Sequence, residues 1–252
     1  MSDSLFSMTG EDDSPPSGWL EILPVSVLEI AALGKNGIRG KQDHNNQCSR
    51  QTYSAFPREV AELCSSFYLK DCKQVVDPFA GWGERAKYMA KHKVPYTGFD
   101  ISEEAIKYAK ENFGVENTLA DSTTVEVPAH DGLLTCPPYW NLEEYADDSG
   151  LDRCKTWESF IEQYKGVLSR FAEKAESGAT YCIMTGDWRD GGVFYDLTYQ
   201  TEKIMESLGF KPHDKVVVSR LKITKIKIML PQAKRLKWTV KVHESLNTFR
   251  KK

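Results

Sequence analysis

Gln74-Val-Val-Asp-Pro-Phe-Ala-Gly-Trp-Gly83 decides the reading of the fold. A short apolar strand, 74–79, runs into a turn in which Gly81 and Gly83 let main-chain amides approach a ligand with no Cβ in the way. A helix follows, to about His92. In an open α/β sheet, the carboxyl end of such a strand is where ligands bind. A dinucleotide fingerprint needs a further glycine three residues after Gly83, and position 86 is Ala.

Downstream of this turn the chain alternates strand and helix. Pro95–Asp100 predicts a strand, and Ser102 caps a helix that carries Glu103 and Glu104 in its first turn. Strands follow near Asn117–Ala120 and Gly132–Thr135, then a helix from Trp157 to about Lys174, a strand at Ala179–Thr185 and a helix at Thr198–Leu208. From Lys215 lysine alternates with Val, Ile, Leu and Met, which predicts two or three strands. The pattern is α/β: a doubly wound, mostly parallel sheet with an antiparallel hairpin at its C-terminal edge. Upstream, Val60, Leu63, Cys64, Phe67 and Tyr68 fall at helical spacing within 57–69, and Leu20–Leu33 suits a strand and a short helix. Residues 34–48 read as a polar, Gly-rich loop. Residues 1–17 read as a disordered acidic tail.

Composition narrows the class. The 252 residues are 27% charged and 40% hydrophobic, which is ordinary for a soluble globular protein. No apolar run approaches the roughly 20 residues of a membrane span, and the acidic start is unlike a signal peptide, so the expected location is the cytoplasm. The six cysteines include no C-x-x-C pair, so no metal site is expected and reduced, mostly buried thiols are. The net charge of −3 conceals a division: residues 211–252 hold 13 Lys or Arg against Asp214 and Glu244, so the rest of the chain is strongly acidic. A polyanion-binding region explains this; a sheet edge guarded by lysines is the plainer explanation.

The most informative stretch is Leu133-Leu-Thr-Cys-Pro-Pro-Tyr-Trp140. Two prolines after a buried strand lock the main chain, and an aromatic pair follows that suits a planar base. Together, Asp77-Pro-Phe-Ala-Gly-Trp-Gly83 and Cys136-Pro-Pro-Tyr139 resemble the cofactor and catalytic motifs of S-adenosylmethionine-dependent DNA amino-methyltransferases, the N4-cytosine and N6-adenine enzymes. Cys136–Asp148, Gly186-Asp-Trp-Arg-Asp190 and 241–251 are similar to a phage- and prophage-associated group of DNA modification methylases. The similarity runs from about Tyr53 to the C-terminus, roughly four fifths of the chain.

The resemblance implies a seven-stranded Rossmann-like methyltransferase sheet in a domain spanning 51–252, with basic C-terminal strands over 211–252, preceded by an extension over 18–50. It also implies S-adenosylmethionine as cofactor, held by Phe56, Asp77, Pro78, Phe79, Ala80, Gly81, Gly83, Asp100, Ile101, Asp121 and Ser122. Asp100 ends the second strand, 17 residues after Gly83, where it takes the ribose hydroxyls; Asp121 ends the third, near the adenine amino group. A helix N-terminal acid and a turn residue are the structural alternatives for the two. The implied catalytic residues are Cys136, Pro137, Pro138, Tyr139 and Trp140: position 136 and the Pro137 carbonyl accept the amine's hydrogen bonds, while Tyr139, with Trp140, stacks on a base flipped from double-stranded DNA.

Cysteine at position 136 departs from the usual Asp, Asn or Ser, and its size favours cytosine over adenine. Cys136 as a nucleophile on pyrimidine C6 is a second possibility, although C5-methyltransferases place Pro before Cys. RNA or protein amino-methylation, and a catalytically dead binding module, complete the alternatives. Only about 50 residues separate the two motifs. Target readout therefore falls to 141–155, to 188–195 or to the basic C-terminal strands.

Overall fold

A computed structural model describes residues 24–30, 56–140, 150–219 and 225–252. The expected tail 1–17, the loop 34–48, Cys48 and 141–149 lie outside these residues.

In chain order the elements are β1 (Val27–Glu29), α1 (Arg58–Leu63) continued by a π-helical turn (Cys64–Tyr68), β2 (Val75–Asp77), α2 (Glu84–Lys91), β3 (Tyr96–Asp100), α3 (Glu103–Phe113), β4 (Thr118–Leu119), β5 (His130–Thr135), α4 (Trp157–Lys174), β6 (Ala175–Thr185), β7 (Trp188–Asp190), β8 (Val193–Tyr195), α5 (Leu197–Ser207), β9 (Phe210–Ser219), α6 (Lys225–Leu236) and β10 (His243–Lys251). The main sheet runs β1-β9-β10-β6-β5-β2-β3-β4. Every pairing is parallel except those of β10, which is antiparallel to both β6 and β9. The sheet is doubly wound, as expected, with eight strands among the described residues rather than seven. The antiparallel β9–β10 hairpin is present, and β1 pairs outside it.

Of the two or three strands expected from Lys215 onward, two form, β9 and β10. The segment after β9 is not another strand but α6. With β10 paired on both sides and β1 on the outer side of β9, a strand there has no adjacent edge to join. Its Lys, Met, Leu, Gln, Ala and Arg residues favour helix, against the effect of Pro231 inside it. The alternation of Lys with Ile at 225–228 suggested period two, but sheet pairing decides whether period two is used.

Strand side chains alternate between two cores. Leu133, Tyr181 and Ile183 face α4 and α5, with Phe160, Tyr164, Phe171 and Met205. Leu134, Cys182 and Met184 face α1, with Val60, Leu63 and Met89. Both sheet faces are thus covered, which accounts for the unbroken apolar runs in β5 and β6. Helix α4 buries Phe160, Tyr164, Val167, Leu168 and Phe171 on one face, and Thr156 accepts the Ser159 amide at its start. Ser102 accepts the Ala105 amide at the start of α3, as its sequence position suggests. Cys64 and Cys182 are buried thiols, while Cys72, Cys136 and Cys154 are partly buried.

Because β9 and β6 run in the same direction, the β9–β10 connection leaves the sheet at the carboxyl end of the parallel strands. The β7–β8 hairpin follows β6 at that same end. The Gly turn after β2, Asp100 after β3 and the Cys136 turn after β5 all gather there.

At the opposite end, buried His130 bridges the Pro128 carbonyl (2.8 Å, Nδ1) and the Tyr181 hydroxyl (2.8 Å, Nε2). The tautomer with the proton on Nδ1 satisfies both. Burial pushes its pKa below the ordinary 6.5. The unfolded chain therefore binds the proton more readily, so the contribution is whole above pH 6.5 and is lost as pH falls from 6.5 through the lower folded value. The urea midpoint should fall between pH 7.5 and 5.5, and His130→Gln should flatten that slope.

Candidate active site

Asp77 is completely buried at the end of β2, and four donors converge on it. Oδ1 accepts from the Phe79 amide (3.0 Å) and the Thr135 hydroxyl (2.6 Å); Oδ2 accepts from Arg85 Nε (2.6 Å) and the Tyr96 hydroxyl (2.7 Å). Burial opposes the Arg85 charge, but Asp77 beside it raises the pKa above the ordinary guanidinium value. Arg85 also donates to the Phe79 carbonyl and lies 4.7 Å from the centroid of the buried Phe56 ring. Asp77, Arg85 and Phe56 therefore brace the turn from beneath. Asp77's carboxylate faces these four partners rather than open space.

The turn itself rises over this support. Pro78 accepts from the Ser122 hydroxyl (2.7 Å), and the Ala80 amide bonds the Phe99 carbonyl (2.8 Å). Gly81 (φ +55°) and Gly83 (φ +92°) lie in the left-handed region. A Cβ on Gly83 would stand 2.6 Å from that of Ala109, so Gly83 lets α2 and α3 approach. Gly81 faces no such crowding, and its amide donates to Asp100 Oδ2 (2.7 Å). Asp100 Oδ1 takes the Ser102 amide (2.9 Å). Burial raises the Asp100 pKa, against the lowering effect of those two amides. Ile101 follows, partly buried. Asp121 is exposed, and its Oδ1 accepts both the amide and the hydroxyl of Thr123 (2.8 and 2.7 Å).

The second motif is joined to the first through Thr135, which precedes Cys136. Pro137 is buried; Cys136, Pro138, Tyr139 and Trp140 are partly buried. Cys136 Sγ lies 3.8 Å from the Tyr139 hydroxyl, which donates to Glu244 Oε1 (3.1 Å) on β10. Burial, with Cys136 and Glu244 nearby, holds the Tyr139 hydroxyl protonated. A Cβ on Gly186 would come within 3.2 Å of both the Tyr139 hydroxyl and Glu244 Cγ, so this glycine makes room for the pair. The Tyr139 ring is stacked on Trp188, with centroids 5.8 Å apart and planes at 21°. Trp140 is held by its indole N–H on the Cys154 carbonyl (2.7 Å), beside Trp157 and Tyr195.

Neither a family model nor a curated protein matches the sequence. Solved structures do match in fold. TrmN from Thermus thermophilus is 16% identical with a TM-score of 0.51, over 78% of this chain and 49% of TrmN. Magnesium protoporphyrin IX methyltransferase (ChlM) from Synechocystis PCC 6803 with bound SAM is 12% identical with a TM-score of 0.51, over 77% of this chain and 79% of that one. Burkholderia thailandensis 1,6-didemethyltoxoflavin-N1-methyltransferase, with bound 1,6-didemethyltoxoflavin and S-adenosylhomocysteine, is 16% identical with a TM-score of 0.50, over 77% of each chain. The chain has the Rossmann-like methyltransferase fold. It spans about half the length of TrmN.

On that fold, the structure brings the cofactor-motif residues and the Cys136 turn to one end of the sheet. Sequence reading did not single out Arg85, Tyr96, Thr135 or Glu244 for the site. Arg85 and Tyr96 carry no motif signal, whereas Glu244 was visible as one of two acids in a basic region. Asp187 has a structural role: it accepts the Thr198 amide at the start of α5 (3.0 Å) and Lys241 Nζ (3.1 Å), and these donors lower its pKa against the effect of burial.

Replacing Asp77 by Asn should strand a buried guanidinium and destabilise the fold by about 3–5 kcal/mol, visible in chemical denaturation. Gly83→Ala should cost about 1–3 kcal/mol through the Ala109 clash.

Proposed function

We propose that this protein is an S-adenosylmethionine-dependent methyltransferase acting on the exocyclic amino group of a DNA base, N4 of cytosine ahead of N6 of adenine. The observation that carries the reading is the Thr135–Asp77 hydrogen bond, which ties the Cys136-Pro-Pro-Tyr139 turn directly to the base of the Gly81 turn. The resemblance to phage-associated modification methylases supports DNA as the nucleic acid. So does charge: from Lys215 to His243 the chain contains no acidic residue, and α6 emerges at the same end of the sheet as the catalytic turn.

The side chains fit the cofactor. Each Asp100 oxygen accepts one amide and keeps a lone pair for a ribose hydroxyl. Asp121 Oδ2 suits an adenine amino group, and Gly81 presents main chain without a Cβ. When bound there, S-adenosylmethionine supplies an electrophilic methyl group. The Pro137 carbonyl accepts one N–H of the target amine and draws the nitrogen toward tetrahedral geometry, which frees its lone pair from the ring. Cys136 adds a weak acceptor, closest in size to the Ser of many cytosine-N4 enzymes. Glu244 and Trp188 position Tyr139, and orientation supplies much of the rate. The nitrogen loses its proton after it has become cationic, so no strong base is required.

Incubation with methyl-labelled S-adenosylmethionine and mixed DNA or RNA, followed by nucleoside mass spectrometry, should yield labelled N4-methyldeoxycytidine or N6-methyldeoxyadenosine. Cys136→Ser should retain activity. Label at pyrimidine C5, label only in RNA, or no label at all would each overturn the assignment. DNA affinity should also fall steeply as salt rises from 50 to about 200 mM, because phosphate contacts release counterions.

A further inference from the structure

Between the β7–β8 hairpin and the first turn of α4 lies an open cavity of about 390 Å³, within the range of small-ligand pockets. Its walls include Trp140, Trp157, Phe194 and Tyr195, with Lys155 and Glu158. The rings are held from behind. Trp140 is anchored on Cys154 and stands edge-on to Tyr195 (5.1 Å, 69°), while Trp157 stacks on the core residue Phe160 (5.5 Å, 24°). On the hairpin, Val193 and Phe194 remain 54% and 41% exposed. The Phe194 ring is thus open to a ligand on one side, while Trp140, Trp157 and Tyr195 pack against the core from behind.

The two charged side chains select the occupant. Aromatic walls with Glu158 would suit an organic cation, but Lys155 repels one. A carboxylate or phosphate would meet Glu158. A neutral planar heterocycle satisfies both: it stacks on the rings, donates an amino N–H to Glu158 and accepts from Lys155 at a ring nitrogen or carbonyl. Trp140 directly follows Tyr139 in the catalytic turn, yet Cys136, Pro138 and Tyr139 do not line the cavity. A base held here is therefore a neighbour of the one whose amine meets Pro137. Arg189 lies 4.8 Å from the Phe194 ring and 5.6 Å from that of Trp238, and so joins the cavity wall to the basic β9–β10 connection.

We infer that this cavity is a second nucleobase site, which takes the nucleotide flanking the methylated one and in which Glu158 reads its amino group. The inference rests on the nucleic-acid reading above, and two readouts separate their fates. In the first, tryptophan fluorescence of the full chain is titrated with dAMP, dCMP, dGMP and dTMP. The three amino-bearing nucleotides should quench at lower concentration than dTMP. Glu158→Gln should remove that difference, and Phe194→Ala should weaken all four about tenfold. In the second, duplexes with every base flanking the target are methylated. Wild type should prefer an amino-bearing flank on the methylated strand, and Glu158→Gln should reduce that preference, read as the ratio of kcat/KM values, about tenfold.

A fall in kcat with an unchanged flank preference would make the cavity the target-base pocket and overturn the inference. Absence of DNA methylation together with discriminating nucleotide quenching that Glu158→Gln abolishes would leave the base site standing and remove the proposed reaction. Nucleotides that fail to quench, or quench both variants as they do wild type, would remove the site whatever the enzyme methylates. Melting curves should match wild type for both substitutions, since both side chains are at the surface.

Discussion

The Asp77 carboxylate holds together what the rest of the structure uses. Its four donors come from the turn after β2, from α2, from β3 and from the end of β5. A buried ion pair such as Asp77–Arg85 adds little net stability, because desolvating two charges offsets most of their attraction. Its value here is geometric. With no solvent to substitute for a lost partner, the turn, α2 and the end of β5 keep one relative arrangement. The Gly81 amide is thereby aimed at Asp100, and Cys136 is held at a set height above the sheet.

A second constraint comes from β10. It is the one strand of the main sheet that runs against its neighbours. Its reversal has two consequences. The connection before it must begin and end at the carboxyl end of the sheet, which puts α6 at the same end as the Gly81 and Cys136 turns. It also makes the second residue of β10, Glu244, arrive next to Tyr139 rather than at the far end. An acid from the most basic part of the chain thus comes to hold the Tyr139 hydroxyl.

The aromatic residues divide along the same line. Tyr139 is stacked on Trp188 and hydrogen-bonded below, so its ring has a single orientation. Trp140, one residue later, turns to Trp157 and Tyr195. The Pro137-Pro138 pair leaves little main-chain freedom ahead of these two positions, and consecutive side chains leave in different directions. One strand end thereby supplies rings to two separate aromatic clusters. Among the described residues no helix is long and apolar enough to cross a membrane, and the exposed apolar groups at Val193, Phe194, Met229 and Leu230 sit on the hairpin and on α6.

Much of this was legible in the chain itself, because its signals are local. Strand–helix alternation, the Ser102 cap, the glycines of the turn and the extent of α4 depend on side-chain period and main-chain sterics within a few residues. The Gly81 and Cys136 motifs are likewise short segments whose chemistry is written in consecutive residues. Tertiary structure alone decided the remainder. Lys225–Leu236 became helix because β1 and β10 had already taken the adjacent strand positions. Asp77 became a buried hub because Tyr96 and Thr135, 19 and 58 residues away, were brought to it. Glu244 met Tyr139 across 105 residues. Period and propensity act along the chain, whereas hydrogen-bond satisfaction and sheet pairing act across it, and no local pattern records which distant group will supply the partner.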